Sequence, residues 1–137
     1  MPSVPKPPFN KRNKFNAKRS MRGDHAFPSK LEAAVFDMLT LRERAGQIKD
    51  LTRQPSVKLT LAAIGYKPDF KYFDLQLNEH VWVEAKGAET EGYRLRKRLW
   101  SYYGPGRLLV FKGHHNALKL AEEIVPKSLA GLERKSS

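Results

Sequence analysis

The stretch from Pro68 to Gly87 limits the fold more than any other part of this chain. It holds two β-type segments, Asp69 to Leu75 and His80 to Lys86, with only Gln76 to Glu79 between them, and so reads as an antiparallel hairpin. A hairpin sets the start of one strand beside the end of the next, which brings Asp69 next to Glu84 and Lys86. Alternate residues of a strand share a face. Val81, Val83 and Ala85 therefore make an apolar, core-facing side, while Trp82, Glu84 and Lys86 point the other way until Gly87 releases the chain. Charges closing an otherwise apolar strand mark a functional site. The plainer alternative is a surface ion pair of Lys86 with Asp69 or Glu84, worth under about 1 kcal/mol.

The folded region begins at Pro28. Ser29-Lys30-Leu31-Glu32 is a capping-box pattern with Ser29 as N-cap, and Leu31, Val35, Met38 and Leu39 recur at helical spacing until Gly46 offers a stop. This predicts a helix from about Ser29 to Arg44. Short β-type segments follow at Ile48 to Gln54 and Val57 to Leu61, punctuated by Pro55 and by Gly65-Tyr66-Lys67-Pro68. After the hairpin, the pattern predicts a helix from about Thr90 to Tyr103, closed by Gly104-Pro105-Gly106. A buried strand from Arg107 to Phe111 comes next, then a last helix from Asn116 to Val125 stopped by Pro126. The order α-β-β-β-β-α-β-α places one helix between two strands in the second half, which implies a right-handed crossover. The expected class is α/β, a mixed central β-sheet flanked by helices.

Residues 1–26 read as a flexible basic arm, 27–126 as the folded domain and 127–137 as a polar tail. Up to residue 23 the arm carries Lys6, Lys11, Arg12, Lys14, Lys18, Arg19 and Arg22 with no acid at all, together with Pro2, Pro5, Pro7 and Pro8. Its few apolar side chains cannot offset the entropy of ordering it. Lys18, Arg19 and Arg22 are candidate phosphate contacts, the alternative being a tail that only keeps the protein soluble. Over the whole chain 26 Lys and Arg stand against 14 Asp and Glu, a formal +12. Such a surplus calls for a polyanion, because each contacted phosphate releases condensed counterions. No run approaches the roughly 18 apolar residues of a membrane span, and no apolar signal segment opens the chain. Cysteine is absent, which excludes disulfides and thiolate zinc sites. A cytoplasmic protein with no membrane partner is expected.

Two carboxylates and an ammonium at one sheet edge suit phosphodiester hydrolysis. Hard oxygen ligands hold Mg²⁺, with Mn²⁺ able to substitute, and the ion neutralises the scissile phosphate and helps ionise an attacking water. A lysine nearby orients that water or stabilises transition-state charge. In the second helix Arg94, Lys97 and Arg98 lie three or four apart and share one face, while Leu95, Leu99 and Tyr102 mark the buried side. That face is a candidate DNA grip, or else a solvated charged surface. Gln54, at a strand end, points either to the site or into edge packing. Glu32 has a sufficient explanation in capping the first helix.

Pro68-Asp69 with Glu84-Ala85-Lys86 resembles the PD-(D/E)XK motif of restriction-like nucleases. The likeness runs from Phe27 to about Phe111. Phe27-Pro28-Ser29-Lys30-Leu31-Glu32, Tyr66-Lys67-Pro68-Asp69-Phe70 and Val83-Glu84-Ala85-Lys86-Gly87 are similar in order and content to the phage endonuclease I family of Holliday-junction-resolving enzymes. Gly46-Gln47-Ile48, Gln54-Pro55 and the stretch from Arg94 to Leu99 resemble small phage nucleases of the same superfamily. The resemblance implies a Mg²⁺-dependent endonuclease acting on DNA, branched DNA above all, with Asp69 and Glu84 as metal ligands. It further implies Lys86 as the catalytic lysine, Glu32 as an extra acid reaching the metal from the first helix, and a homodimer. The long basic arm and short C-terminal region depart from the junction-resolving enzymes. Two other classes fit the same residues: a DNA-end-cleaving subunit of a transposase or restriction system, and a non-catalytic DNA-binding module of nuclease-like fold. Acids grouped beside a lysine repel phosphate unless a metal intervenes, which counts against the module.

Overall fold

The computed structural model describes residues 20–22, 25–114 and 117–127. In chain order the elements are β1 (Ser20–Arg22), β2 (His25–Phe27), α1 (Lys30–Arg44), β3 (Ile48–Arg53), β4 (Val57–Lys58), β5 (Gly65–Tyr66) and β6 (Phe70–Asp74). They continue with β7 (Glu79–Ala85), α2 (Glu91–Tyr103), β8 (Arg107–His114) and β9 (Ala117–Ile124). A five-stranded sheet runs β3-β6-β7-β8-β9, and the pairs β1–β2 and β4–β5 form two separate ribbons. Among the described residues only β7 and β8 pair in parallel, with α2 as their crossover, so the class is α/β with a mixed central sheet, as the pattern predicts.

Local chemistry sets the ends of these elements. Ser29 caps α1, its Oγ accepting the Glu32 N–H at 3.1 Å. At the other end Gly46 takes φ +76°, and the Gln47 and Gly46 N–H groups return to the carbonyls of Arg42 and Glu43, a Schellman stop that favours glycine. Asp74 closes the β6–β7 turn, its Oδ1 accepting the N–H groups of Gln76 and Leu77 at 2.9 Å each. Thr90 caps α2 by accepting the Tyr93 N–H. Gly104 and Gly106 end it against Trp100, whose indole N–H donates to the Gly106 carbonyl at 2.8 Å. A Cβ on Gly104 would meet that ring at 2.6 Å.

Side chains alternate across β7, the middle strand. Val81 and Val83 join Phe27, Val35, Leu39, Ile48, Phe70 and Tyr72 in a core beneath α1. Trp82 joins Leu59, Tyr66, Tyr93, Trp100, Leu108 and Val110 in a second core beneath α2. The strand is thus buried on both faces, and the hairpin lies inside a three-layer arrangement. Among the described residues no helix is long and apolar enough to cross a membrane.

Three expectations need correction. The segment from Asn116 to Val125 is not a helix: residues 117–124 form β9, antiparallel to β8 from Leu108↔Ile124 to His114↔Ala117. Its Ala, Leu, Lys and Glu residues favour helix, but β8 offers a row of backbone donors and acceptors that a strand satisfies and a helix cannot. Arg107, which pairs with Glu123, and Lys97, which pairs with Glu122, fix the edge. The strand from Val57 to Leu61 shrinks to Val57–Lys58, because the Leu59 N–H turns back to the Ile64 carbonyl at 2.8 Å and closes a tight ribbon with β5. The basic arm expected to run to residue 26 overlaps β1 and β2, whose register is Ser20↔Phe27 to Arg22↔His25.

Candidate active site

The two halves of the hairpin meet as the spacing requires. Asp69 sits just before β6 and its Oδ2 accepts the Ala85 N–H at 2.8 Å, while its carbonyl accepts the Gln54 N–H at 2.8 Å. Glu84, only 7% exposed, faces the α2 side, with Tyr66 and Tyr93 next to it. Lys86 lies 3.9 Å from the Glu84 carboxylate and 4.7 Å from the centroid of the Tyr93 ring. Its position at the strand end is held by its own N–H, which donates to the Phe111 carbonyl at 3.0 Å.

Glu32 comes from the other layer. Its backbone N–H is capped by Ser29, but its carboxylate turns inward, 5% exposed, toward Asp69 and Arg53. Its main chain thus takes part in the helix cap, while its side chain lies beside Asp69 and Arg53. Arg53 stands 3.7 Å from Glu32, stacks 4.2 Å from the Phe27 ring centroid and donates to the Ala26 carbonyl. Gln54 does not reach inward: its side chain is exposed, and its link to the site is the backbone bond to Asp69.

Three carboxylates thus share a desolvated space. Burial, then the Asp69 charge, pushes Glu84 up to about 8, although Tyr66 and Lys86 oppose the rise. Burial and Asp69 likewise lift Glu32 to about 7 against the pull of Arg53. Asp69 itself rises to about 6 through burial, held down by the Ala85 N–H, Lys86 and Arg53. Four buried polar atoms around the cluster make no hydrogen bond among the described residues: Glu32 Oε2, Glu84 Oε1 and the hydroxyls of Tyr66 and Tyr93. Buried carboxylate oxygens without donors are costly, and a cation offsets that cost.

The donor set fits a hard divalent ion, which takes oxygen ligands. Among the described residues no group of three acidic or histidine side chains is arranged to hold such an ion by itself.

The helix face expected to grip DNA is assembled differently. Arg94, Lys97 and Arg98 do come together, lining an open cavity of about 380 Å³ with Ser101 and Ile124. Two acids line it too. Glu89 pairs with Arg94 at 3.5 Å and Lys97 at 3.3 Å, and Glu122 with Lys97 at 2.9 Å. Lys97 is a structural pin from α2 to β9, whereas Arg94 and Arg98 are exposed, Arg94 with Glu89 beside it. On the expected buried side, Leu95 and Tyr102 are 45% and 49% exposed; Tyr93 and Trp100 are buried instead. Lys18 and Arg19 lie outside the described residues, and Arg22 is placed in β1 by its backbone.

Sequence reasoning did not find Arg53 or Tyr66 as site residues, and it read Tyr93 with the basic face of the second helix instead of beside Glu84 and Lys86. Tyr66 stands three positions before Asp69, within a motif already quoted, and could have been flagged. Arg53 carries no local signal, because its partner Glu32 lies on α1.

Fold and site together define an α/β protein with a mixed sheet and a buried carboxylate cluster beside a lysine. The chain belongs to the family described as protein of unknown function (DUF1064), whose model matches residues 12–121 and so spans Glu32, Asp69, Glu84 and Lys86. No curated protein matches it.

Proposed function

We propose that the protein is a Mg²⁺-dependent endodeoxyribonuclease, acting in the cytoplasm as a homodimer and selective for branched DNA. One observation carries the reading: a buried Glu84 with an orphan carboxylate oxygen lies beside a half-buried Asp69 that is anchored by the Ala85 N–H, with the Lys86 ammonium 3.9 Å from Glu84. Withdrawing acids from water and leaving a carboxylate oxygen unpartnered is costly, and a bound cation would offset that cost. The net charge of +12 supports a polyanionic substrate. Branched-DNA selectivity, the homodimer and phage origin draw support from the resemblance to junction-resolving nucleases.

Asp69 and Glu84 would hold the ion, with Glu32 beside them, and bound Mg²⁺ would supply Lewis acidity and a more acidic water. The chain's own residues do the rest. The Ala85 N–H locks the Asp69 carboxylate in place. Lys86, resting on the Tyr93 face, has N–H donors to offer a phosphate oxygen or an attacking water. Arg53 holds Glu32 against Asp69 and limits the repulsion between them. Parallel assays on four-way junction, flap, linear duplex and single-stranded DNA, with Mg²⁺ and with chelator, test the reading. Metal-dependent cutting, strongest on the junction, is expected; no cutting of any substrate would refute it.

A further inference from the structure

The ribbon formed by β4 and β5 carries an apolar tip that the fold leaves in solvent. Leu59 and Tyr66 at its base are buried in the α2-side core, whereas Leu61 at the tip is 105% exposed, with Ala62 and Ala63 exposed beside it. The turn is firmly built. The Leu59 N–H bonds the Ile64 carbonyl, the Ala63 N–H bonds the Thr60 carbonyl at 2.9 Å, and the Ile64 N–H bonds Thr60 Oγ1 at 3.2 Å. Ala63 takes φ +65°, a left-handed conformation that a non-glycine residue keeps only where its surroundings hold it. Arg96 fastens the ribbon to α2 by donating Nε–H to the Gly65 carbonyl at 2.8 Å. Leu61 is therefore presented outward by a braced turn.

Between this tip and the end of α2 lies an open cleft of about 600 Å³, lined by residues 58–62 and Tyr103, the last 60% exposed. No acid lines the cleft, and Lys58 is the one charged residue among those that do. An aromatic face, a branched apolar side chain and a lysine at the lip match a nucleobase with its flanking phosphate. A second copy of the chain, itself at a formal +12, would be opposed here by charge repulsion.

We propose that the cleft is a stacking subsite for an unpaired nucleobase of the DNA substrate. Tyr103 supplies the ring face, Leu61 the opposing wedge and Lys58 a phosphate contact. The proposal rests on the DNA reading above, and deepens it by supplying a physical basis for preferring distorted DNA.

The test compares the full-length protein with Leu61→Ala and Tyr103→Ala, both of which trim exposed side chains and spare the core. Binding is measured in Ca²⁺ to a paired duplex and to the same duplex with one unpaired 2-aminopurine. The wild type should bind the second about tenfold tighter and quench its fluorescence. Both variants should lose that preference at unchanged duplex affinity, and Tyr103→Ala should also lose the quenching. A preference that survives in both variants overturns the subsite, as does sedimentation showing that they break a dimer. Wild type that binds neither duplex overturns the DNA reading as well. Wild type that cuts DNA with Mg²⁺ while the variants keep the preference sinks the subsite alone.

Discussion

The Asp69 carboxylate accepts its hydrogen bond from the backbone N–H of Ala85, the residue between Glu84 and Lys86. A main-chain donor survives replacement of either neighbouring side chain. The roles of Asp69, Glu84 and Lys86 should therefore separate cleanly by mutation.

The acids come first. Asp69→Ala or Glu84→Ala should abolish Mg²⁺-dependent cleavage while DNA binding holds or tightens, since each change removes a metal ligand and also a charge that repels phosphate. Near-normal cleavage in both variants would remove the site. Replacement of Glu84 also has a signature in stability. Glu84, Glu32 and Asp69 rise from ordinary carboxylate values to about 8, 7 and 6, so between about pH 4 and 8 the folded chain binds more protons than the unfolded one. Stability then falls as pH rises through that window. Metal-free protein should melt progressively lower from pH 5 to 8.5, and Glu84→Gln should flatten the decline, a gain on the order of a few kcal/mol at pH 8. Mg²⁺ should raise Tm more at pH 8 than at pH 6. Melting curves with and without chelator check both points, and parallel pH slopes for Glu84→Gln and wild type would count against the burial argument.

Lys86 should matter to the chemical step rather than to affinity. It is one of 26 basic residues, so its deletion changes the long-range field little. Lys86→Ala should slow single-turnover cleavage by about 10²-fold or more, the scale of a positioned catalytic group. Affinity in Ca²⁺ should stay within about twofold. A variant that cuts at the wild-type rate would make the Glu84-Ala85-Lys86 spacing a coincidence.

Lys97 and Arg98 should now divide in the opposite sense to their shared helical face. Lys97 is bonded to Glu122 and Glu89, so Lys97→Ala should lower stability by about 1 kcal/mol. Arg98 is exposed, and Arg98→Ala should weaken DNA binding with no change in Tm and reduce the salt slope by about one. Thermal melts and salt titrations of both variants decide it; a Lys97→Ala protein with wild-type Tm would contradict the pin.

Tyr66 offers a subtler test. Its hydroxyl is buried beside Glu84 and opposes the rise in Glu84's pKa. Tyr66→Phe removes that hydroxyl and keeps the ring that packs in the α2-side core. The same change should move the alkaline-going limb of the cleavage–pH profile upward, since Glu84 then loses its proton at higher pH. An unshifted profile would place Tyr66 in the core alone.

The sequence alone was enough for what depends on neighbours a few residues apart. The alternation of Val81, Val83 and Ala85 with Trp82, Glu84 and Lys86, together with the short Gln76–Glu79 turn, set the hairpin and brought Asp69 to Ala85. Ser29 and Gly46 bounded α1 for equally local reasons, a side-chain oxygen for an orphan N–H and a residue free to take φ +76°. Other features were decided by tertiary contact. Residues 117–124 became a strand because β8 needed a backbone partner, and a helix preference of a few tenths of a kcal/mol per residue does not outweigh a ladder of hydrogen bonds. Lys97 found Glu89 and Glu122, and Glu32 found Arg53 across the α1–sheet interface. In each case the deciding partner lies on another element, so no local pattern records it. Burial then did what spacing could not, turning three acids that could have been a surface cluster into carboxylates held at about 6 to 8.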